Sequence, residues 1–185
     1  MSNQNNATKF TVPGMDNKTA AQAVSVLDQR MVALIDLALT LKHVHWNVVG
    51  PNFIGVHEML DPQVEAVREM VDTIAERIAT LGGVPVGTPQ SIADRRSWKD
   101  YSLGKGLVME HLGALDMVYN GVNGDHRSAI DAVAELDPVS EDMLIAQLTD
   151  LEQFQWFIRA HLESSDGNLP TTSESTETGA AKAAR

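Results

Sequence analysis

Apolar residues recur every three or four positions along most of this 185-residue chain, which is typical of helices that bury one face. Four of these periodic segments are long, at about 18–49, 53–81, 105–135 and 138–163. The first shows the regular 3-4 spacing of a bundle seam. Its seam positions are Val24, Leu27, Met31, Leu34, Ala38, Leu41 and Val48. The pattern predicts an all-α fold, a four-helix bundle.

Residues that stop or start helices separate these segments. The turn at 50–52, Gly-Pro-Asn, ends the first helix and begins the second, and Asn17 is the expected N-cap of the first. Asp137-Pro138 begins the fourth helix. Residues 84–104 contain Pro and Gly and predict a long connection, with a short helix at about 91–98. This order predicts an up-down-down-up bundle.

Both ends of the chain differ from the middle in composition. Residues 1–16 are polar and Asn-rich, and residues 164–185 are rich in Ser, Thr, Gly and Ala. We expect two flexible tails around a bundle domain at 17–163.

Composition limits the metal ligands and the binding partners that the chain can have. The chain has no cysteine, so a metal site would use nitrogen and oxygen ligands. The formal charge of −11 favours cations and opposes binding to nucleic acid phosphates. No signal-like segment or long apolar segment is present, so a cytoplasmic protein without a membrane partner is expected.

Two histidines flank the first turn at similar distances. His45 occupies a seam position near the end of the first helix, and His57 lies near the start of the second. In an antiparallel hairpin these positions come level with each other. A core histidine bonded to a carbonyl is the alternative for His45 alone, but two facing imidazoles predict the start of a metal site.

The second helix carries further ligand-type residues on one stripe. His57 and Asp61 are four residues apart, as are Asp72 and Glu76, and at about 100° per residue all four fall on neighbouring angles. Along the axis, however, Asp61 and Asp72 are about 16 Å apart. Either the chain has two sites, or two antiparallel copies of this helix share them.

Three of the other histidines suggest no site. His111 and His126 lie on the third helix without a carboxylate pattern and are interpreted as ordinary helix residues, and His161 suits the end of the fourth helix. Two other interpretations stay open for the chain. One is a zinc hydrolase that uses His57, Glu58 and Asp61 as a degenerate H-E-x-x-H motif. The other is a helical bundle without chemistry.

The ligand-type residues and their spacing resemble a known family. His45-Trp46-Asn47, Gly50-Pro51-Asn52-Phe53, His57-Glu58-Met59-Leu60-Asp61, Asp72 and Ala75-Glu76-Arg77 resemble the signature of the Dps proteins, within the ferritin superfamily. The segment Leu151–Phe157 resembles the last helix of that family. The Phe-Thr-Val-Pro-Gly and Lys-His-Val-His-Trp runs at residues 10–14 and 42–46 look most like its actinobacterial branch.

This resemblance implies an iron-oxidising homododecamer. Members of the family oxidise ferrous iron, preferably with hydrogen peroxide, and store ferric oxide inside a shell of twelve subunits. By the resemblance, His45, His57 and Asp61 of one subunit meet Asp72 and Glu76 of a twofold-related subunit, with room for two iron ions per site.

Three further residues acquire roles only through the resemblance. Trp46 matches a tryptophan that lies beside the family's site and can intercept radicals. The alternative for Trp46 is an aromatic residue that only packs. Asp142 and Glu152 align with residues of acidic pores, and a solvated helix face is the alternative.

The tails depart from the family's DNA-binding members, which carry Lys- and Arg-rich tails. The only basic residues after Glu163 are Lys182 and Arg185, and twelve copies of the chain would carry a charge of about −130. A DNA-compacting protein is the alternative function, and the charge argues against direct DNA binding.

Overall fold

The computed structural model describes residues 9–185 and consists mainly of helices. Four long helices form the bundle: α1 (Asn17–Asn47), α2 (Phe53–Thr80), α4 (Val108–Val133) and α5 (Pro138–Leu162). Two shorter helices are α3 (Pro89–Arg95), within the long connection, and α6 (Glu177–Ala183), near the end of the chain. The predicted four-helix bundle is confirmed, including the short helix in the connection. None of the helices within residues 9–185 has the length and apolar character that crossing a membrane requires.

A small parallel β-pair joins the end of α1 to the start of α4, and the sequence pattern did not predict it. Strand β1 (Val48–Val49) pairs with β2 (Gly106–Leu107), so that Val48 lies opposite Gly106. A parallel pair needs a long crossover between its strands, and α2, α3 and the long connection provide it. The pair fixes the chain just before the turn into α2.

The start of α1 differs from the prediction by one residue. Asp16, rather than Asn17, is the N-cap, and its carboxylate accepts hydrogen bonds from the backbone N–H groups of Lys18 and Thr19. Asn17 is instead the first residue of the helix. Both residue types cap helices well, so the sequence alone did not distinguish them.

The C-terminal segment is also different from its prediction. The expectation of a flexible tail at 164–185 is wrong for this structure, because α6 packs on α4 and buries Ala180, Ala181 and Ala184. The N-terminal tail was predicted at 1–16. Residues 1–8 of it lie outside the described part of the chain, and residues 9–16 lead into α1 without regular structure.

Both histidines of α4 are fully buried, which their sequence pattern did not show. His111 Nδ1 lies 3.0 Å from the hydroxyl of Tyr101, which donates to it when that nitrogen is unprotonated. Within the described chain, neither ring nitrogen of His126 makes a well-formed hydrogen bond, and the nearby backbone of Leu144 only weakly favours the protonated ring. Burial, with a contribution from the nearby guanidinium of Arg30, lowers the pKa of His126 to about 4.

We predict that His126 makes the fold sensitive to acid. In the unfolded chain this histidine is protonated below about pH 6.5, whereas in the folded chain it stays neutral down to about pH 4. The free energy of unfolding should therefore fall by about 3 kcal/mol over this range. Denaturant titrations at several pH values should show a shallower dependence for His126→Leu, whereas His161→Leu, at an exposed position, should behave as wild type. The same pH dependence in both variants would contradict this account.

Candidate metal centre

The hairpin between α1 and α2 brings His45 and His57 together. The turn places Gly50 and Asn52 at φ values of 100° and 63°, a left-handed conformation in which glycine and asparagine are the least strained residues. The two imidazole rings stack with their centroids 3.6 Å apart and their planes 22° from parallel. The sequence prediction that these rings face each other across the hairpin agrees with this geometry.

Reciprocal hydrogen bonds hold the two rings. Nδ1 of His45 lies 2.9 Å from the carbonyl oxygen of His57, and Nδ1 of His57 lies 2.9 Å from the carbonyl oxygen of His45. A carbonyl oxygen only accepts hydrogen bonds, so each Nδ1 must donate. In a neutral ring the lone pair is therefore on Nε2. Metal-binding histidines typically donate their other nitrogen in this way, which fixes the tautomer and the ring orientation.

Asp61 lies beside this pair, one helical turn after His57. Its Oδ1 is 3.3 Å from Nδ1 of His45 and accepts a hydrogen bond of 2.5 Å from Nζ of Lys42. The hydrogen bond from Lys42 lowers the pKa of the Asp61 carboxyl, and electrostatic interactions with His45, Lys42 and His57 act in the same direction. Asp61 is half-exposed and stays ionised in mildly acidic solution. In this structure the ammonium group of Lys42 is the cation at the carboxylate.

The spacing of Lys42 and His45 in the sequence also indicates where the Lys42 side chain lies. Lys42 and His45 are three residues apart, so both side chains lie on one face of α1. A basic residue on the face that carries the ligand-type histidine is a candidate partner for a nearby carboxylate.

The carboxylates of the second cluster lie far from the first. Asp72 and Glu76 are exposed and follow Asp61 on the same helix, about 16 Å away for Asp72 at 1.5 Å per residue. Within residues 9–185, no three His, Cys, Asp or Glu side chains form a group that could hold a metal ion. One copy of the chain brings His45, His57 and Asp61 close together and leaves Asp72 and Glu76 apart from them.

Arg77 fixes the end of α2 that carries Glu76. Its guanidinium donates two hydrogen bonds, of 2.7 and 2.9 Å, from Nη2 to the buried carboxylate of Asp137, just before α5. The Ser140 hydroxyl also accepts a bond from this guanidinium, at 3.2 Å. These contacts hold the second cluster on a rigid part of the bundle.

The other residues singled out from the sequence lie on the surface. Trp46 is 71% exposed and therefore does not pack within its own chain, and Glu58 is exposed as well. Asp142 is exposed, and Glu152 is paired with Arg127. The surface positions of Asp142 and Glu152 agree with solvated helix faces, and their assignment to a pore stays a prediction.

Comparison with known proteins gives a consistent result. A family model described as a ferritin-like domain matches residues 24–166. The DNA protection during starvation protein of Mycolicibacterium smegmatis is 57% identical over 178 residues, which cover 96% of this chain and 97% of that protein. The protein of the same name from Agrobacterium fabrum is 35% identical over 84% of this chain and 97% of its own length. The solved structure of DpsA14 from Streptomyces coelicolor matches with a TM-score of 0.88 at 57% identity, covering 89% of this chain and 98% of that one.

The fold and the match to the family model define a ferritin-like protein, a class associated in general with iron. Within this class, the chain belongs to the Dps family and to its actinobacterial type.

We predict that His45 and His57 stabilise the hairpin as a coupled pair. Each single change to alanine removes both the ring stacking and one of the two bonds, so the double variant should lose less than the sum of the single variants. The two hydrogen bonds add without coupling, because each acceptor is a backbone carbonyl that alanine keeps, so the coupling comes from the stacking and should be about 0.5–1.5 kcal/mol. Metal-free denaturation of the four proteins of the cycle measures it. The pair of His45 with the exposed His161 serves as the control, and coupling no larger than in that control would contradict the geometry.

Proposed function

We propose that this protein is a ferroxidase and iron-storage protein that oxidises Fe(II), preferably with hydrogen peroxide, inside a shell of twelve subunits. The observation that carries this proposal is the pair of imidazoles whose Nδ1 atoms donate to carbonyl groups and whose Nε2 atoms keep their lone pairs. Imidazole and carboxylate ligands suit iron, whereas Ca²⁺ and Mg²⁺ prefer oxygen ligands alone. Family membership supports iron storage in general terms.

The proposed site is shared between two copies of the chain. His45, His57 and Asp61 of one subunit would bind iron with Asp72 and Glu76 of its twofold-related partner. The distance of about 16 Å along α2 between the two clusters supports this arrangement, because a metal ion bonds to ligands only about 2 Å away. The midpoint of the four α2 residues lies near Ala66 and Val67, so two α2 helices would cross there antiparallel about a twofold axis.

The expected reaction consumes two ferrous ions for each peroxide. Each Fe(II) loses one electron, the O–O bond of hydrogen peroxide takes both electrons and breaks, and two hydroxide ions form. Delivering both electrons at one site avoids the one-electron cleavage that releases hydroxyl radical. Asp61 and Glu76 would hold the cations, and Lys42 would leave the Asp61 carboxylate as iron binds. Trp46, which is exposed and adjacent to His45 in the sequence, would reduce an escaping radical.

DNA protection by this protein would then follow from the removal of iron and peroxide. The relative from Mycolicibacterium smegmatis carries DNA protection in its name. Removal of iron and peroxide would supply such protection without contact with DNA. A charge of −11 per chain opposes an approach to phosphate, and Arg185, one of two basic residues after Glu163, is paired with Glu110. We therefore rank direct DNA compaction second. A zinc hydrolase is less favoured because it leaves Asp72 and Glu76 without a role.

The shared site predicts complementation between two inactive variants. His57→Ala alone, and the combined Asp72→Ala and Glu76→Ala variant alone, should each lose most ferroxidase activity. In a dimer with one chain of each kind, one site contains every substitution and the other contains none. Co-assembled shells should therefore regain activity in a fraction of their sites, measured as the rate of Fe(III) absorbance growth.

A matched control for this experiment mixes His57→Ala with Asp61→Ala. Both substitutions affect the same half of the site, so every site in the mixture stays damaged and no activity should return. Mixed shells of the first pair, verified by native mass, with no more activity than their parents would refute the shared site.

A second prediction concerns the oxidant. Addition of hydrogen peroxide to Fe(II)-loaded protein should consume two iron ions per peroxide without hydroxyl radical, as followed by stopped-flow absorbance and spin trapping. The His57→Ala variant should restore the radical signal, because isolated ferrous ions cleave peroxide one electron at a time. An equal radical yield with and without wild-type protein would show that the site does not couple the two electrons.

A further inference from the structure

The segment after α5, residues 164–185, folds back across the bundle, and we call it the C-terminal clasp. A turn at its start reverses the chain: the N–H of Ser164 donates to the carbonyl of Asn168, and Gly167 adopts a φ of 84°. The clasp then runs to α4 and ends in α6. Its composition is typical of a disordered tail, so its order depends on what it contacts.

Carboxylates fasten the clasp to the rest of the chain at three places. The Thr171 hydroxyl donates to buried Asp116 on α4 at 2.6 Å. The carboxylate of Glu177 accepts two bonds of 2.7 Å, from the backbone N–H and the hydroxyl of Ser102. At the last residue of the chain, the guanidinium of Arg185 donates to the carboxylate of Glu110 at 2.5 Å.

The fit between α6 and α4 depends on the absence of a side chain at Gly113. A β-carbon at this position would lie 2.5 Å from the carbonyl oxygen of Ala180 and 2.8 Å from the β-carbon of Ala184. The first distance is shorter than any real contact of this kind, and the obstacle is backbone that cannot rotate away. Gly113 therefore permits the close approach of the two helices.

We expect the clasp to be held less strongly than the four bundle helices. A helix of seven residues does not form alone in water, so α6 requires its contact with α4. The side chains that it buries there are alanines, which bury little apolar area compared with the Leu and Ile of the bundle core. Segments with few apolar contacts open at a lower free energy than the core does.

The clasp also forms one wall of a cleft of about 520 Å³. Residues 175–178 of the clasp lie on one side of the cleft, and α1, α4 and residues 96–102 form the rest. Trp98, Tyr101 and Met117 give the cleft an aromatic and apolar lining. Detachment of residues 175–178 would open this lining to solvent.

We propose that the C-terminal clasp is a lid that opens as one unit while the four-helix bundle stays folded, and that its opening uncovers the cleft beside Trp98 and Tyr101. The turn at residues 164–168 acts as the hinge, and Gly113 with the three carboxylate contacts sets the closed position. This device is independent of iron and of the proposed metal site.

Hydrogen exchange on the full-length assembled protein, read by mass spectrometry, tests the lid. In wild type, the amides of residues 177–185 should exchange at one common rate, at least tenfold faster than the buried amides of α4 and α5. Gly113→Ala should raise that rate at least tenfold more and leave α1 and α2 protected. Gly124→Ala is the matched control on the same helix, because nothing lies within 4 Å of its β-carbon.

A second pair of variants covers the case in which Gly113→Ala does not fold. Glu177→Ala removes both bonds to Ser102 at the edge of the bundle and should also speed exchange in α6. Lys182→Ala, an exposed change on the same helix, should not. Exchange of the clasp together with α4 and α5 in wild type, or unchanged protection of α6 in both Gly113→Ala and Glu177→Ala, would overturn the proposal.

Discussion

The reciprocal bonding of His45 and His57 is the constraint on which the candidate centre depends. Each ring donates from Nδ1 to the backbone carbonyl of the other residue, so ring orientation and backbone position are fixed together. The bonds close only when α1 and α2 keep the register that the turn at Gly50 and Asn52 sets. In a neutral ring the same bonds assign the tautomer and thereby leave the lone pair on Nε2. The hydrogen bonds that hold the hairpin together thus also orient the two imidazole rings of the candidate centre.

The rigidity of α2 supplies the second constraint. A continuous helix from Phe53 to Thr80 keeps Asp61 and Asp72 about 16 Å apart whatever their side chains do. Arg77 and Asp137 fix the far end of this helix, so bending it to close the gap would break a buried ion pair. If all five ligand-type residues serve one centre, a second copy of the chain must supply part of it. On this account, the metal centre and the assembly depend on each other.

The parts of the structure that the sequence predicted are those with strong local signals. The long helices follow from periodic apolar residues, and the position of His45 opposite His57 follows from a short turn with glycine and proline. Features that depend on tertiary contact were not predicted from the sequence. The pairing of β1 with β2 depends on a long crossover, and the buried state of His126 depends on what packs against α4.

The clasp shows most clearly why local composition is insufficient. Residues 164–185 contain small and polar side chains, which usually indicate disorder. Their order comes from Gly113, more than fifty residues earlier, and from the carboxylates of Asp116 and Glu110 on the same helix. No window of sequence around the tail contains that information.

Anomalous diffraction from crystals of the assembled protein soaked anaerobically in Fe(II) tests the central claim most directly. The account predicts an iron peak about 2 Å from Nε2 of His45 and His57 of one subunit, with Asp72 or Glu76 of a twofold-related subunit in the same coordination sphere. Lys42 should have moved away from Asp61 in that structure. An iron peak whose protein ligands all come from one chain, or a peak that avoids both histidines, would contradict the account.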